Sequence, residues 1–154
     1  MQISCTVCGA PYPQIGAPYK CSCGGVFDFS RFPAFINPDK RDRSPSLWLY
    51  QESLGLPEHA PVVTLGEGNT PLLSIRFNDR PVYLKMEGQN PTGSYKDRGS
   101  AVLTSFLRSR NVSSAVEDSS GNAGASLAAY CASAGLSVSV FVPETASGPK
   151  RWQI

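Results

Sequence analysis

The stretch that decides the fold is SSAVEDSSGNAGASLAAYCASAGLSVSVFVP, residues 113–143. It starts with a strand-like run, VSSAVED when Val112 is included, and continues into an alanine-rich helical segment that ends at Gly135. The run LSVSVFVP follows, alternates valine with serine, and stops at Pro143. A helix between two strands at such short intervals predicts a right-handed βαβ crossover, and therefore a parallel sheet.

The preceding residues extend this alternation. The segment DRGSAVLTSFLRSR, residues 97–110, has apolar residues at helical spacing and basic residues in its last turn. Before it, PLLSIRFNDRPVYLKME, residues 71–87, predicts two strands joined by a turn at Asn78-Asp79. The predicted fold class is therefore α/β, with a partial doubly wound parallel sheet (βαβαβ) over residues 62–154.

The last residues of the chain begin another loop or helix after a parallel strand. A parallel sheet needs cover on both faces and more than two or three strands. We therefore expect the α/β domain over residues 62–154 to be incomplete in this chain.

Composition divides the first 61 residues into two further parts. Residues 1–30 hold four of the five cysteines and have no periodic apolar face, so they need a staple to fold. Residues 31–61 are a proline-punctuated connector, with a short helix predicted between Ser46 and Gly55. Aromatic residues of this helix, Trp48 and Tyr50, are expected to anchor the connector against the α/β domain.

The cysteine-rich segment has the spacing of a metal site. Cys5-x2-Cys8 and Cys21-x-Cys23 are separated by twelve residues, and a glycine follows each pair. This pattern predicts a zinc-ribbon-like segment in which four thiolates complete a structural, tetrahedral zinc site. Free thiols or a redox pair are the alternatives, whereas Cys131, among alanines of a helix, is predicted to be a buried small hydrophobe.

Bulk properties exclude several classes of partner. The 154 residues carry a formal net charge of +2, which is too small to indicate binding to nucleic acid or to an anionic membrane. No apolar run is long enough to span a bilayer, and the first residues lack the order of a secretory signal. A cytoplasmic protein is expected, and the one histidine, His59, is predicted to lie in a solvated loop.

One lysine stands where a turn becomes a helix. In NPTGSYKDRG, residues 90–99, Asn90-Pro91 and Gly93 predict a turn, and Asp97 suits the first turn of a helix. Lys96 would then lie near the positive end of the helix dipole, where the protonated amine is disfavoured. A neutral amine is a better nucleophile and Schiff-base former. The alternative is an ordinary solvated surface lysine.

A second loop, EDSSGNAGAS at residues 117–126, clusters small residues between the predicted strand and the alanine-rich helix. Backbone N–H groups at such a turn can bind a phosphate or a substrate carboxylate. The alternative is a helix N-cap made by Ser120 or Asn122. Both loops follow predicted strands, on the edge of an open α/β sheet where ligands bind.

Three segments in this order, TLGEGNTPLL (residues 64–73), NPTGSYKDRG and SSGNAG, resemble the pyridoxal-phosphate enzymes of the tryptophan-synthase β-subunit fold (fold type II). The resemblance is strongest to the threonine synthases and threonine-synthase-like enzymes. A cysteine-rich start followed by a tryptophan-bearing connector is also similar to one branch of that family.

The resemblance implies a specific chemistry. Lys96 would form the internal aldimine with pyridoxal 5′-phosphate and later shuttle protons, and Asn122 would hydrogen-bond the 3′ oxygen of the cofactor. The substrate carboxylate would be bound by Ser119, Ser120, Gly121 and Ala123. The implied reaction is the conversion of O-phosphohomoserine and water to threonine and phosphate, a step of threonine biosynthesis. Another amino-acid lyase or dehydratase reaction is an alternative, since EDSSGNAG differs from the STGN form of many threonine synthases.

The sequence shows no glycine-rich loop that would hold the cofactor phosphate, nor the serine or threonine expected to face the pyridine nitrogen. In the family that the chain resembles, both belong to the later half. The expected partners are a small amino-acid substrate and either a second copy of the chain or a complementary chain that supplies the missing half. The alternatives are a truncated, inactive fragment, a zinc-ribbon binding module, or one half of a split enzyme.

Overall fold

The computed structural model describes residues 2–38 and 46–154. Each of its three sheets has two strands. Short 3-10 helices cover Leu47–Ser53 and Glu87–Gln89. The remaining elements are β1 (Gln2–Cys5), β2 (Phe27–Arg31), β3 (Leu72–Phe77), β4 (Arg80–Lys85), α1 (Lys96–Ser109), β5 (Ser114–Asp118), α2 (Asn122–Ser133), β6 (Ser137–Phe141) and α3 (Gly148–Gln153).

The predicted strand–helix–strand unit is confirmed as β5–α2–β6. The two strands pair in parallel, from Ser114 opposite Ser137 to Asp118 opposite Phe141, and α2 packs against both of them. Gly135 follows α2 with a φ of 67°, the left-handed conformation that lets a chain leave a helix, and the N–H of Leu136 bonds back to the carbonyl of Cys131.

The predicted hairpin is also confirmed, but it changes the topology. Asn78 and Asp79 have φ values of 47° and 58°, which is the backbone that a two-residue hairpin turn requires. That turn makes β4 pair antiparallel with β3, and among the described residues neither strand pairs with β5 or β6. The βαβαβ prediction is therefore correct only for β5–α2–β6. The first strand of the expected parallel sheet belongs to a separate antiparallel sheet.

Helix α1 packs along α2 and creates the core. One buried cluster contains Trp48, Val63, Ala101 and Tyr130, and a second contains Leu107, Leu127, Cys131 and Leu136. The predicted burial of Cys131 is confirmed, and this burial raises the pKa of its thiol.

The cysteine-rich segment contacts the end of α1. The guanidinium of Arg110 lies over the rings of Tyr12 and Phe106, at 5.6 and 5.1 Å from their centroids, and donates to the backbone carbonyl of Pro13 at 2.9 Å. A cation at the C-terminal end of a helix also complements the helix dipole. These contacts hold the loop between the two cysteine pairs against α1.

The connector helix begins as predicted, because the Ser46 hydroxyl accepts a hydrogen bond from the N–H of Trp48 at 3.2 Å. Trp48 is buried and anchors the connector, as predicted. Tyr50 does not, because its side chain is exposed and its ring lies 6.0 Å from that of Phe35, also in the connector.

The predicted boundaries at residues 30 and 61 stay predictions. In the part of the chain that the structure describes, no helix has the length and apolar character needed to cross a bilayer. His59 is exposed in a turn, as expected.

Candidate active site

The lysine stands at the start of α1, as predicted. Lys96 is the first residue of the helix, is partly buried, and its backbone N–H donates to the hydroxyl of Ser94 at 3.2 Å. Its ammonium lies 4.9 Å from the ring centroid of Tyr95, and no acidic side chain of the described residues pairs with it. Lys96 is therefore held at its backbone while its amine keeps no ionic partner in that part of the chain.

The residue after this lysine is a buried carboxylate. Asp97 is fully buried and accepts hydrogen bonds from the backbone N–H of Thr92 at 2.7 Å and from the Thr92 hydroxyl. It also accepts from the hydroxyl of Ser126, in α2, at 2.6 Å. The sequence predicted Asp97 only as a favourable charge in the first turn of a helix. No pattern in the sequence pairs it with Ser126, because that hydroxyl comes from another helix 29 residues away.

The second loop leads into α2 without a side-chain cap. The N-cap residue is Gly121, no side chain caps the helix, and Asn122 is its first residue, with an exposed side chain. The alternative that Ser120 or Asn122 forms the N-cap is therefore wrong. The Ser119 hydroxyl instead accepts from the N–H of Gly121 at 3.3 Å, which holds the loop ahead of the helix. The first N–H groups of α2 remain available to a ligand.

A glycine in the first turn of α2 allows this loop to pack closely. A Cβ atom added at Gly124 would lie 2.4 Å from the carbonyl oxygen of Ser119 and 3.0 Å from a methyl carbon of Val140 in β6. The absence of a side chain at Gly124 therefore brings the start of α2 against both the loop and the sheet.

The segment at residues 64–73 contributes a second buried carboxylate. Glu67 is fully buried and accepts from the indole N–H of Trp48 and the hydroxyl of Tyr130, each at 2.6 Å. It also accepts from the Thr64 hydroxyl at 3.1 Å and from the N–H of Leu65 at 3.0 Å. Burial, together with the hydrogen bond to Glu67, raises the pKa of Tyr130. Glu67 thus joins the connector to α2.

An ion pair links residues 64–73 to residues 90–99, which we call the lysine turn. Arg98 donates to both carboxylate oxygens of Glu87 at 2.8 Å, and Glu87 also accepts from the hydroxyl of Thr70 at 2.7 Å. The hydrogen bonds from Arg98 lower the pKa of Glu87 to about 2. Asn90 completes the link, since its side chain donates to Glu87 at 3.0 Å and accepts from the N–H of Gly68 at 3.0 Å.

The structure thus brings the three motif segments together. Residues 64–73 meet the lysine turn through Thr70, which bonds to both members of the Glu87–Arg98 pair. The lysine turn meets α2 at Asp97 and Ser126. Ser126 also lies 2.8 Å from the hydroxyl of Ser100, so the N-terminal halves of the two helices contact each other. Their N-terminal ends, which carry Lys96 and Asn122, therefore lie at the same end of the helix pair. Asn122 is exposed there, whereas the four predicted carboxylate-binding residues are partly buried: Ser119, Ser120, Gly121 and Ala123.

The four predicted metal ligands also come together. The sulfur atoms of Cys5, Cys8, Cys21 and Cys23 all lie within 4.8 Å of one another. Cys5 and Cys23 are 3.5 Å apart and Cys8 and Cys21 are 3.7 Å apart, so none of them is disulfide-bonded. Backbone N–H groups, first that of Cys8 and then that of Val7, lower the pKa of Cys5 to about 6. At Cys5 this favours the thiolate, the form that binds metals, whereas hydrogen bonds with the Cys8 and Cys5 side chains raise the pKa of Cys23.

Known proteins match most of this chain. The family described as pyridoxal-phosphate dependent enzymes matches residues 63–154. Threonine synthases from Methanocaldococcus jannaschii and Methanosarcina acetivorans are each 36% identical, over 150 residues (91% of this chain and 37% of that protein) and 151 residues (92% and 36%). The threonine synthase of Halalkalibacterium halodurans is 41% identical over 99 residues, 62% of this chain and 28% of that protein.

The chain therefore spans just over a third of the length of the two Methanocaldococcus and Methanosarcina relatives. The family match includes the lysine turn, α1, α2 and the small-residue loop (residues 117–126). Hydrogen bonds to the buried carboxylates of Asp97 and Glu67 connect parts of this region to α2. The chain belongs to the family of pyridoxal-phosphate-dependent enzymes.

Proposed function

We propose that this chain carries the lysine-bearing part of a pyridoxal-phosphate-dependent lyase of the threonine synthase type. The reaction would convert O-phosphohomoserine and water to threonine and phosphate. The observation that carries the proposal is Lys96, partly buried at the start of α1, beside the uncapped start of α2 and without an acidic partner among the described residues. Similarity to threonine synthases over more than 90% of the chain supports the choice of substrate.

The residues at this end of the helix pair fit the cofactor. An amine that is not tied to a carboxylate can bond to the aldehyde carbon of pyridoxal phosphate, and Lys96 offers such an amine. The side chain of Asn122 is exposed and free to donate to the 3′ oxygen of the cofactor. The cofactor, when bound, supplies the electron sink that stabilises carbanions, and the protein contributes orientation and proton transfer.

The residues of the chain would have separate tasks in the reaction. The amine of Lys96 would take up and return the protons of the substrate carbon atoms. The first N–H groups of α2, with the hydroxyls of Ser119 and Ser120, would bind the substrate carboxylate, an anion that suits the positive end of a helix dipole. Gly121 and Ala123 would take part through their backbone.

We also propose that the four cysteines hold a structural zinc ion. Four thiolates at about 2.3 Å from a tetrahedral zinc lie roughly 3.8 Å from one another. Two of the six sulfur–sulfur separations, 3.5 and 3.7 Å, are close to this value, and all six are within 4.8 Å. Since four sulfur ligands leave no open position, the zinc would stabilise the segment and take no part in the reaction.

A second observation supports a partner that completes the fold. Large apolar side chains remain exposed on both small sheets of the α/β part, with exposed fractions of 65% for Phe77, 65% for Tyr83, 70% for Val116 and 63% for Phe141. Surfaces of this kind are normally buried by further polypeptide. We propose that catalysis needs such cover, from further polypeptide of the same protein, a second copy or a complementary chain. A fragment that never acquires it would be inactive.

Reductive trapping tests the role of the lysine. The chain is incubated with pyridoxal phosphate, reduced with borohydride and mapped by mass spectrometry of its peptides. We expect label on Lys96 in clear excess over Lys20, an exposed lysine of the cysteine-rich segment. The Lys96→Arg variant keeps the charge and should lose only that label. Equal labelling of the two lysines would show that Lys96 is an ordinary surface residue.

A separate assay tests the substrate. Phosphate release from O-phosphohomoserine is followed with the chain alone and after co-expression with a candidate complementary chain. Phosphate and threonine should appear in equal amounts, and only with an intact Lys96. Cofactor trapping without phosphate release from a completed assembly would favour another amino-acid lyase or dehydratase.

A further inference from the structure

Asp97 is the feature of the candidate site that the family resemblance leaves without a role. Its carboxylate is completely buried, and among the described residues no basic side chain pairs with it. Burying a carboxylate without a cation costs free energy unless hydrogen bonds replace its water shell. The three hydrogen bonds from Thr92 and Ser126 do so here.

These hydrogen bonds fix the orientation of the side chain. The N–H of Thr92 donates to one carboxylate oxygen, and the hydroxyls of Thr92 and Ser126 both donate to the other. Both oxygens are therefore used, and the carboxylate cannot rotate without breaking at least one of these bonds. Because Asp97 follows Lys96 directly in the chain, fixing this side chain also fixes the first turn of α1.

The other two carboxylates of the region do not share this position. Glu87 is neutralised by Arg98, and Glu67 contacts the connector and Tyr130, farther along α2. Asp97 alone of these three is a neighbour of Lys96 in the chain and is bonded to Ser126, in the N-terminal half of α2.

We propose that Asp97 is a positioning residue, which sets the place of the Lys96 amine relative to the start of α2 by fastening the lysine turn to Ser126. This inference rests on the proposed function, because it assigns Asp97 a role in presenting Lys96 to the cofactor. Without the hydrogen bond between Asp97 and Ser126, the amine of Lys96 would no longer be aligned with Asn122 and the small-residue loop.

Two variants separate this role from a general loss of stability. Ser126→Ala removes the contact of the carboxylate with α2, together with the 2.8 Å contact between the hydroxyls of Ser126 and Ser100. Asp97→Asn keeps the size of the side chain and removes its charge, and its amide group can still face the two hydroxyls, which can act as acceptors. The matched control is Ser105→Ala, since Ser105 is also a fully buried serine, donates to the carbonyl of Ala101, and accepts from the N–H of Val63, away from the lysine turn.

The readout is the ratio of label on Lys96 to label on Lys20 after borohydride trapping with pyridoxal phosphate. The folding of each variant is verified by circular dichroism and amide exchange. We expect the ratio to fall at least about tenfold in Ser126→Ala, the size expected for a lost hydrogen bond to a charged group. The ratio should fall in Asp97→Asn as well. Ser105→Ala should lose a similar amount of stability and keep the ratio of the parent chain.

An unchanged ratio in folded Ser126→Ala would overturn the positioning role, and this variant decides the matter if Asp97→Asn does not fold. A ratio that falls equally in Ser105→Ala would also overturn it, because the effect would then follow stability alone. A parent chain without preference for Lys96 would overturn the proposed function itself, which distinguishes the two failures.

Discussion

Replacing Gly124 with alanine tests whether α2 needs a glycine to reach its position. The added Cβ would lie 2.4 Å from the carbonyl oxygen of Ser119, whereas real Cβ atoms essentially never come closer than 3.0 Å, so a gap of about 0.6 Å must open. Such overpacking costs about 1–3 kcal/mol, while alanine offsets up to about 1 kcal/mol through its better helix propensity. We expect a net destabilisation of about 1–2 kcal/mol.

The assay is denaturant unfolding, with Gly99→Ala as the matched control. Gly99 is also a helical glycine, in α1, but an added Cβ would meet nothing within 4 Å, so this variant should gain about 0.5–1 kcal/mol. The two substitutions are chemically identical and should have opposite signs. Amide exchange gives a local readout, because the N–H of Gly121, held by the Ser119 hydroxyl, should exchange faster in Gly124→Ala only. A Gly124→Ala variant as stable as Gly99→Ala would refute the close packing of the loop against α2.

Three further predictions concern the proposed zinc site and the charged network. In Gly25→Ala the new Cβ would lie 2.6 Å from the sulfur of Cys5 and would displace it. The affinity for zinc should therefore fall about tenfold or more, as it does when residues that support metal ligands are changed. Competition with a chelator measures this affinity. The pKa of Glu87 is lowered from 4.5 to about 2. The ionised Glu87 side chain therefore stabilises the fold by at most about 3 kcal/mol. This contribution should be complete above pH 4.5 and disappear as the pH falls towards 2. Denaturant unfolding between these pH values should show this slope, and Arg98→Gln should flatten it. Trp48→Phe removes the indole N–H that donates to the buried carboxylate of Glu67. The free energy of unfolding should fall by about 1–3 kcal/mol. An unchanged free energy of unfolding would contradict this hydrogen bond.

The elements that the sequence predicted are those that local chemistry determines. The turn at Asn78-Asp79, the start of α1 at Lys96 and the end of α2 before Gly135 each depend on a few neighbouring residues. The four-cysteine cluster was predictable for a similar reason, because thiolate pairs joined by short loops have few ways to meet. The placement of Lys96 at a helix start is confirmed, whereas its chemical role stays a prediction.

The features that the sequence did not predict depend on distant pairs of residues. Glu67 bonds to Trp48, 19 residues earlier, and to Tyr130, 63 residues later, and nothing in the pattern of either segment indicates such a contact. Composition alone also argues against a fully buried carboxylate, since Asp and Glu are almost never buried without a partner. The separation of the β3–β4 hairpin from the parallel sheet was missed for a related reason: the alternation of elements indicates their order but not which strand edges meet.

The two buried carboxylates give α2 a central place in the candidate site. Glu67 reaches α2 through Tyr130, and Asp97 reaches it through Ser126, so both the residue 64–73 segment and the lysine turn are bonded to one helix. Neither carboxylate has a basic side chain paired with it among the described residues, and each therefore depends on donors from more than one element for its burial. If α2 moves away, two charges lose hydrogen bonds in a low-dielectric interior, which is far more costly than the loss of apolar contacts alone. The lysine turn, the small-residue loop and the connector should therefore form or unfold together, so that the end of the helix pair carrying Lys96 and Asn122 is organised before any cofactor arrives.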